Sequence, residues 1–327
     1  MTTRKSFTDL SDSERDKFLE AVITLKHRIA NPTSPANQQV SVYDQFVALH
    51  GAAMNLSSST RGNLDLGHGN ALFLPWHRQY LLDFEKALQT VHADVSIPYW
   101  DWTKRQASRT QLFQDDFMGL IPVEQLSLAS GYFAQLAPTP SPAWWPSGFV
   151  GWQVRSEFQS PNWQSLPDNL VRSLIRAGGD TANLPTGRQI KAIIDQVNDY
   201  NTFRIIIEHG NPEPFVIRTH DSGHNWVGGH MATAFSPLDP IFFMHHANVD
   251  RLWAEWQAVD SFRASDLPVE LIPGIGRNDP MWPWVGNDSS YQVTDSTIEN
   301  LMRDHSNDPL VSADDMLDIA VLGYEYA

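Results

Sequence analysis

Cysteine is absent from this 327-residue chain. Its absence excludes a disulfide scaffold, thiolate catalysis and iron–sulfur ligation, and leaves either redox compartment open. Cations are scarce as well: 23 lysines and arginines stand against 38 aspartates and glutamates, a formal net charge of −15. Nucleic acids and anionic membrane surfaces select basic patches, so neither is an expected partner. Long apolar runs are missing too. No stretch approaches the roughly 18–20 apolar residues that span a bilayer, and residues 1–18 turn polar and acidic where a secretory signal needs an apolar run. A cytoplasmic protein is therefore expected, with export alongside a partner protein as the alternative. The remainder, 42% hydrophobic and 19% charged residues, suits a globular chain of one large domain or two small ones.

What the chain does have is histidine, gathered in two widely separated blocks. The first holds His50, His68 and His77, the last two within G-H-G-N-A-L-F-L-P-W-H-R. The second holds His220 and His224 in H-D-S-G-H, then the doublet His245-His246 in D-P-I-F-F-M-H-H-A-N-V-D-R-L-W. Spacing alone does not choose within the doublet. Imidazole suits copper, zinc, iron and nickel, whereas hard cations want oxygen donors. Two all-imidazole triples point to a dinuclear copper site. His220 and His224, four apart, project from one face of a helix. Zinc proteases share that spacing but place a catalytic glutamate directly after the first histidine. Asp221 stands there instead, so the H-E-x-x-H reading fails.

The pattern around these blocks is mainly helical. Residues 10–29 read as a helix capped by Ser11 or Ser13, with Phe18, Leu19, Val22, Ile23, Leu25 and Ile29 as its apolar stripe. Residues 42–54 read as a second, carrying His50. The Ser/Gly-rich stretch 55–69 reads as loop, so irregular backbone delivers His68. A third helix is expected from Pro75, which a first helical turn accepts, through Leu88. Residues 97–102 read as an aromatic turn or edge. Long structured loops with short helices are expected over 104–187, since linkers do not carry tryptophans such as Trp144, Trp145, Trp152 and Trp163. Helix resumes over 188–201, and another opens at Asp239-Pro240 and reaches Trp256. Beyond 257 the chain reads as irregular.

Taken together, these motifs resemble the tyrosinase and polyphenol oxidase family of type 3 copper proteins, bacterial type. The likeness rests on His50, His68, L-F-L-P-W-H-R at 72–78, P-Y-W-D-W at 98–102, His220-x-x-x-His224, W-V-G-G-H-M-A at 226–232, the run at 239–253 and the closing Tyr324-Glu325-Tyr326. It covers two blocks, about 43–102 and 203–256, plus the tyrosine motif at 324–326, within one expected catalytic domain over 1–327. The resemblance implies a four-helix bundle holding a dinuclear copper site, surrounded by long loops and short helices. It implies that His50, His68 and His77 bind one copper and His220, His224 and His246 the other, leaving His245 as a neighbour. It also implies a phenol oxidase that uses dioxygen to convert monophenols into o-diphenols and o-diphenols into o-quinones.

The catalytic candidates under this resemblance are Glu208 and Asp221. Glu208 resembles the family's glutamate that positions a water near the second copper, jointly with the residue after that site's first histidine. That residue, usually Asn in efficient monophenol hydroxylases, is Asp221 here, which favours a catechol or o-aminophenol oxidase as the alternative. Asn225 stands where some bacterial members carry arginine, Ala234 sits at the mouth and Phe242 is a wall residue; these three are the expected substrate contacts. Small phenols are the expected partners, with a separate lid or copper-delivery protein supplying any shielding because the chain ends at the tyrosine motif. The same ending argues against a haemocyanin-like dioxygen carrier. His27, His92, His209, His230 and His305 lack partners at metal spacing and are expected to be surface or satisfied core histidines. Asp250, one turn after His246, is placed to fix a histidine or an arginine, or to form a plain ion pair at the surface or between helices.

Overall fold

Caps and apolar stripes set the helices around the histidines. The computed structural model describes residues 1–59, 62–121, 128, 130–159, 173–176, 184–210 and 219–327. After a short strand, β1 (Thr2–Arg4), comes α1 (Asp12–His27), where Ser11 and Glu14 form a capping box. The box satisfies two N–H groups that a first helical turn leaves without partners. α1 buries Phe18, Leu19, Val22, Ile23 and Leu25. It also sets Lys26 2.5 Å from Asp44 of α2 (Val42–Ala53), a buried pair between the two helices. Ser41 caps α2 by accepting the Asp44 N–H. α3 (Phe73–Gln89) begins two residues ahead of Pro75, whose missing N–H has no helical acceptor so early in a helix.

The stretch 55–69, expected as loop, contains two three-residue strands, β2 (Leu56–Ser58) and β3 (Gly62–Leu64). They pair antiparallel, and β4 (Tyr291–Val293) lies on the other side of β2. Strands this short show no readable alternation. His68 still comes from irregular backbone beyond β3. The single helix expected over 188–201 is two, α4 (Gly187–Gln196) and α5 (Tyr200–His209). Asp199 makes the break: its carboxylate accepts the Thr202 N–H and caps the second helix. Asp and Asn side chains compete with helical backbone in this way.

The second histidine block lies on α6 (His220–Val227) and α7 (Ile241–Gln257). α7 opens at Asp239, which accepts the Ile241 N–H and a two-point contact from buried Arg176. α3 packs against α7, α6 lies against α5 and α7, and α1 lies against α2 and α3. Rings fill the seam between them: Tyr80 stacks on both Trp76 and Phe243. Trp100, Trp102 and Trp152 are fully buried, whereas Trp144 and Trp145 are half-buried. Trp163 lies outside the described residues. At the chain ends β1 pairs in parallel with β5 (Tyr324–Tyr326), Thr2 opposite Tyr324 and Arg4 opposite Tyr326. Among the described residues no helix is long and apolar enough to cross a membrane.

Candidate dinuclear metal centre

Five of the six expected ligands ride on α2, α3, α6 and α7, and the sixth on the loop before α3. Ring nitrogens of His50, His68 and His77 lie within 4.8 Å of one another, and so do those of His220, His224, His245 and His246. The two groups abut. His77 of α3 stacks on His246 of α7 with centroids 4.1 Å apart, and His68 faces His220 at 6.0 Å.

Hydrogen bonds decide which way each imidazole points. Nδ1 of His50 donates to the Ala234 carbonyl at 2.8 Å, that of His77 to the Phe73 carbonyl at 2.8 Å, and that of His224 to the Met231 carbonyl at 2.6 Å. His220 Nδ1 donates to Asp221 Oδ1 at 2.9 Å. A carbonyl or carboxylate oxygen only accepts, so the hydrogen of each neutral ring sits on Nδ1 and the lone pair on Nε2. Nε2 of His50, His77 and His220 is buried without a hydrogen-bond partner. Buried polar atoms are seldom left so; three on facing rings fit a bound cation. His68 is held less directly: Asp65 Oδ1 accepts the Gly67 and His68 N–H groups at 2.9 Å each.

Burial also keeps these rings neutral, the form that binds metal. It depresses His50 to about 3, helped by the neighbouring His68, and drives His77, His224 and His246 well below the usual histidine range. An all-imidazole donor set without carboxylate or thiolate suits copper.

The doublet, open on spacing alone, separates on hydrogen bonding. Trp102 Nε1 donates to His245 Nδ1 at 3.0 Å. Neutral His245 therefore carries its hydrogen on Nε2 and has no lone pair to offer, although that nitrogen lies within reach of the group. His246 has no such donor: its Nε2 lies 3.3 Å from His224 Nε2 and its Nδ1 is unpartnered. His246 is the better third ligand on this ground.

A cavity of about 290 Å³ opens onto both groups, with Met54, Asp221, Asn225, Thr233 and Ala234 among its lining. Phe242 lies elsewhere, fully buried behind the ligands with its ring 4.9 Å from His50 and 4.2 Å from His246. Phe235 roofs α2 so closely that a Cβ on Gly51 would meet its ring at 2.2 Å, which fixes the backbone that presents the Ala234 carbonyl. Glu208, at the end of α5, is buried: Oε1 accepts the Gly69 N–H at 2.6 Å and Oε2 accepts from Arg204 at 3.0 Å. It thus ties down the loop that carries His68. Asp221 lines the mouth half-exposed, bonded to His220 and, through Oδ2, to His209 Nδ1 at 2.8 Å. Burial alone would raise its carboxyl, but the hydrogen bonds and electrostatic attraction of those two rings prevail and hold it at about 2.

Sequence reasoning missed three of these relations. His209 was expected as a surface or satisfied core histidine; it does bond, but to a residue of the site. The Trp102 bond to His245 spans 143 positions. The orienting carbonyls of Ala234, Phe73 and Met231 belong to backbone, which has no side-chain signature. The other expected bystanders are satisfied as foreseen: His92 pairs with Glu20, His305 with Asp308, and buried His230 accepts the Ile175 N–H.

The same residues connect the chain to known proteins. The common central domain of tyrosinase matches residues 40–259. The chain is 35% identical over 301 residues to the tyrosinase of Streptomyces glaucescens, covering 89% of this chain and 94% of that one. It is 32% identical over 320 residues to the grixazone synthase of Streptomyces griseus subsp. griseus, covering 86% and 92% respectively. A variant of the polyphenol oxidase of Thermothelomyces thermophila has a similar structure, with a TM-score of 0.59 and 26% identity over 83% of this chain and 76% of that one. With two facing histidine groups, neutral and short of partners, and relatives matched along most of its length, the chain belongs to the tyrosinase family of type 3 dinuclear copper proteins.

Proposed function

We propose that this protein is a copper-dependent phenol oxidase that converts o-diphenols into o-quinones and hydroxylates monophenols to o-diphenols. The observation that carries the reading is the pair of histidine groups, His50, His68, His77 and His220, His224, His246, which reach one solvent-connected cavity through His50, His68, His220 and His224. The coppers, when bound, supply the redox chemistry with dioxygen. The chain's own residues bind and orient the phenol. The small Ala234 leaves the mouth open, and the edges of the ligand rings form an aromatic wall for the substrate ring.

One observation favours a second reading, an oxidase of catechols or o-aminophenols with weak hydroxylation. Removing a phenolic proton calls for a base within hydrogen-bond reach. Both nearby carboxylates are engaged by protein donors, Asp221 by His209 and His220, Glu208 by Gly69 and Arg204.

Charge at the mouth sets the preferred phenol. Asp221 is the one carboxylate among the described lining residues, and no lysine or arginine accompanies it. Amine-bearing or neutral phenols such as tyramine and dopamine should therefore be handled better than tyrosine and DOPA, whose carboxylates Asp221 repels. The test is oxygen uptake by copper-loaded protein with tyramine and dopamine in parallel, against a metal-free control. Uptake on both supports the first reading and uptake on dopamine alone the second. Uptake on neither, with two coppers bound, refutes the first reading and the catechol form of the second, and leaves an o-aminophenol as the substrate to assay.

A further inference from the structure

The last turn of α5 serves both metal sites at once. Glu208 holds the Gly69 N–H and with it the His68 loop. The next residue, His209, is half-exposed beside the mouth, with Nδ1 2.8 Å from Asp221 Oδ2 and Nε2 3.5 Å from Glu208 Oε2. Asp221 in turn takes the His220 Nδ1 hydrogen on its other oxygen, 2.9 Å away. Asp221 is 44% exposed, and the terminal torsion of an aspartate is soft. Left to itself, such a carboxylate rotates into solvent and releases His220. The His209 ring, fixed at the end of a helix, takes the far oxygen and leaves the near one for His220.

We propose that His209 is a positioning residue for the second copper: it locks the Asp221 carboxylate, which sets the tautomer and direction of the His220 ring. The inference rests on the dinuclear reading above. It also reassigns Asp221, from a base held in waiting to the middle of a His209–Asp221–His220 relay that aims a ligand. Outer partners of metal-bound histidines typically change affinity 10–100-fold; His209 acts one step further out, so the lower end is expected.

The test is copper titration of the metal-free, full-length protein against a chromophoric chelator, resolving the two equivalents, with thermal unfolding alongside. His209→Ala should weaken the second equivalent about tenfold and leave the first nearly unchanged. His209→Asn, whose amide places an N–H near the position of Nδ1, should recover most of that loss, which a merely structural role would not predict. The double variant His209→Ala/Asp221→Ala should bind no more weakly than Asp221→Ala alone, since both act through one relay. Native-like second-site affinity in His209→Ala, no recovery in His209→Asn, or additive losses in the double variant would each overturn the proposal. A native protein that takes up a single copper would overturn the dinuclear reading itself, and this inference with it.

Discussion

Two buried polar centres lie along the seam between the packed helices α3 and α7, and they are built on opposite principles. On one side His77 and His246 join the histidine groups, with ring nitrogens of His50, His77 and His220 left without partners. The next residue of α3, Arg78, and the residue one turn further along α7, Asp250, belong to the other centre. There Asp250 bonds Arg78 through one oxygen and takes Arg4, Tyr324 and Tyr326 on the other. Arg4 also bonds both oxygens of Glu85. Two cations meet two carboxylates, and every carboxylate oxygen accepts at least one hydrogen bond. One centre keeps nitrogen lone pairs free and awaits cations; the other is already neutralised and fastens β1 and β5 to the helix pair. The fastening too leaves one buried atom, Arg78 Nη2, without a partner, but that atom is a donor; free lone pairs, more than burial or polarity, distinguish a binding site from a fastening.

The largest effects should come from removing one member of either centre, and they should differ in kind. His220→Ala deletes a ligand and should abolish the second copper and oxygen uptake. Because the deleted ring carries an orphan nitrogen, the unfolding free energy of the metal-free form should move by no more than about 1 kcal/mol. His245→Ala should keep measurable copper at both sites, since Trp102 already occupies the nitrogen that would otherwise hold a free pair. Equal copper loss in the two variants would reverse the doublet assignment. Asp250→Ala, by contrast, leaves buried Arg78 without a carboxylate, although Arg4 keeps Glu85, and should cost about 3–5 kcal/mol in denaturant unfolding of the metal-free protein. A loss below about 1 kcal/mol would show that water replaces the carboxylate and that this centre does not hold the fold.

An intermediate effect is expected where the histidine centre meets packing. A Cβ on Gly223 would lie 2.3 Å from His245 Cε1, so α6 and α7 approach as closely as they do because this residue has no side chain. Gly223→Ala should cost about 1–3 kcal/mol through overpacking. Since α6 carries both His220 and His224, it should also weaken the second copper while sparing the first. Loss of stability with both coppers retained would mean that α7 yields instead of α6.

The comparison also explains what could be read in the sequence. The grouping of the histidines was legible because they are gathered in two blocks at regular spacing: His220 and His224 share a helix face, and His50 and His77 sit on strongly patterned helices. For Asp250 the place one turn after His246 left two roles open, fixing a histidine or an arginine and forming an ion pair at the surface or between helices. Its partners were not legible, since Arg4 and the tyrosine motif come from opposite ends of the chain and meet only through β1 and β5. The choice of His246 over His245 hangs on an indole donated from Trp102, and no local pattern announces it. His209 gave no signal because a single histidine after a glutamate has no spacing to read. Within the fold, the break at Asp199 overrode a helical pattern that was otherwise continuous from α4 to α5.

A last effect sets other buried histidines apart from the arginine–carboxylate centre by pH. Burial is the chief cause that holds His230 at about 3 and His305 at about 4, far from the metal ligands in role but alike in kind. For a histidine depressed in the folded state, the unfolded chain takes up the proton first. Between pH 6.5 and the folded value the unfolded state binds more protons, so stability is complete above 6.5 and falls as the pH drops. Each such group contributes up to about 1.4 kcal/mol per pH unit across that window. Asp250 works lower. Burial pushes its carboxyl up, but Arg78 and Arg4 outweigh burial and depress it below its usual 3.8, so its contribution is present above 3.8 and is lost only as the pH falls through the lower folded value. Metal-free protein should therefore lose stability between pH 6.5 and 4 while the arginine–carboxylate centre is still intact. His305→Asn keeps a donor toward Asp308 but cannot take up a proton. It should flatten the slope of unfolding free energy against pH in that window, with any change below pH 3.8 arising from Asp308, which His305 helps to depress. An unchanged slope between 4 and 6.5 would show that His305 is as easily protonated folded as unfolded, and would leave acid lability to His230 and the histidines of the two groups.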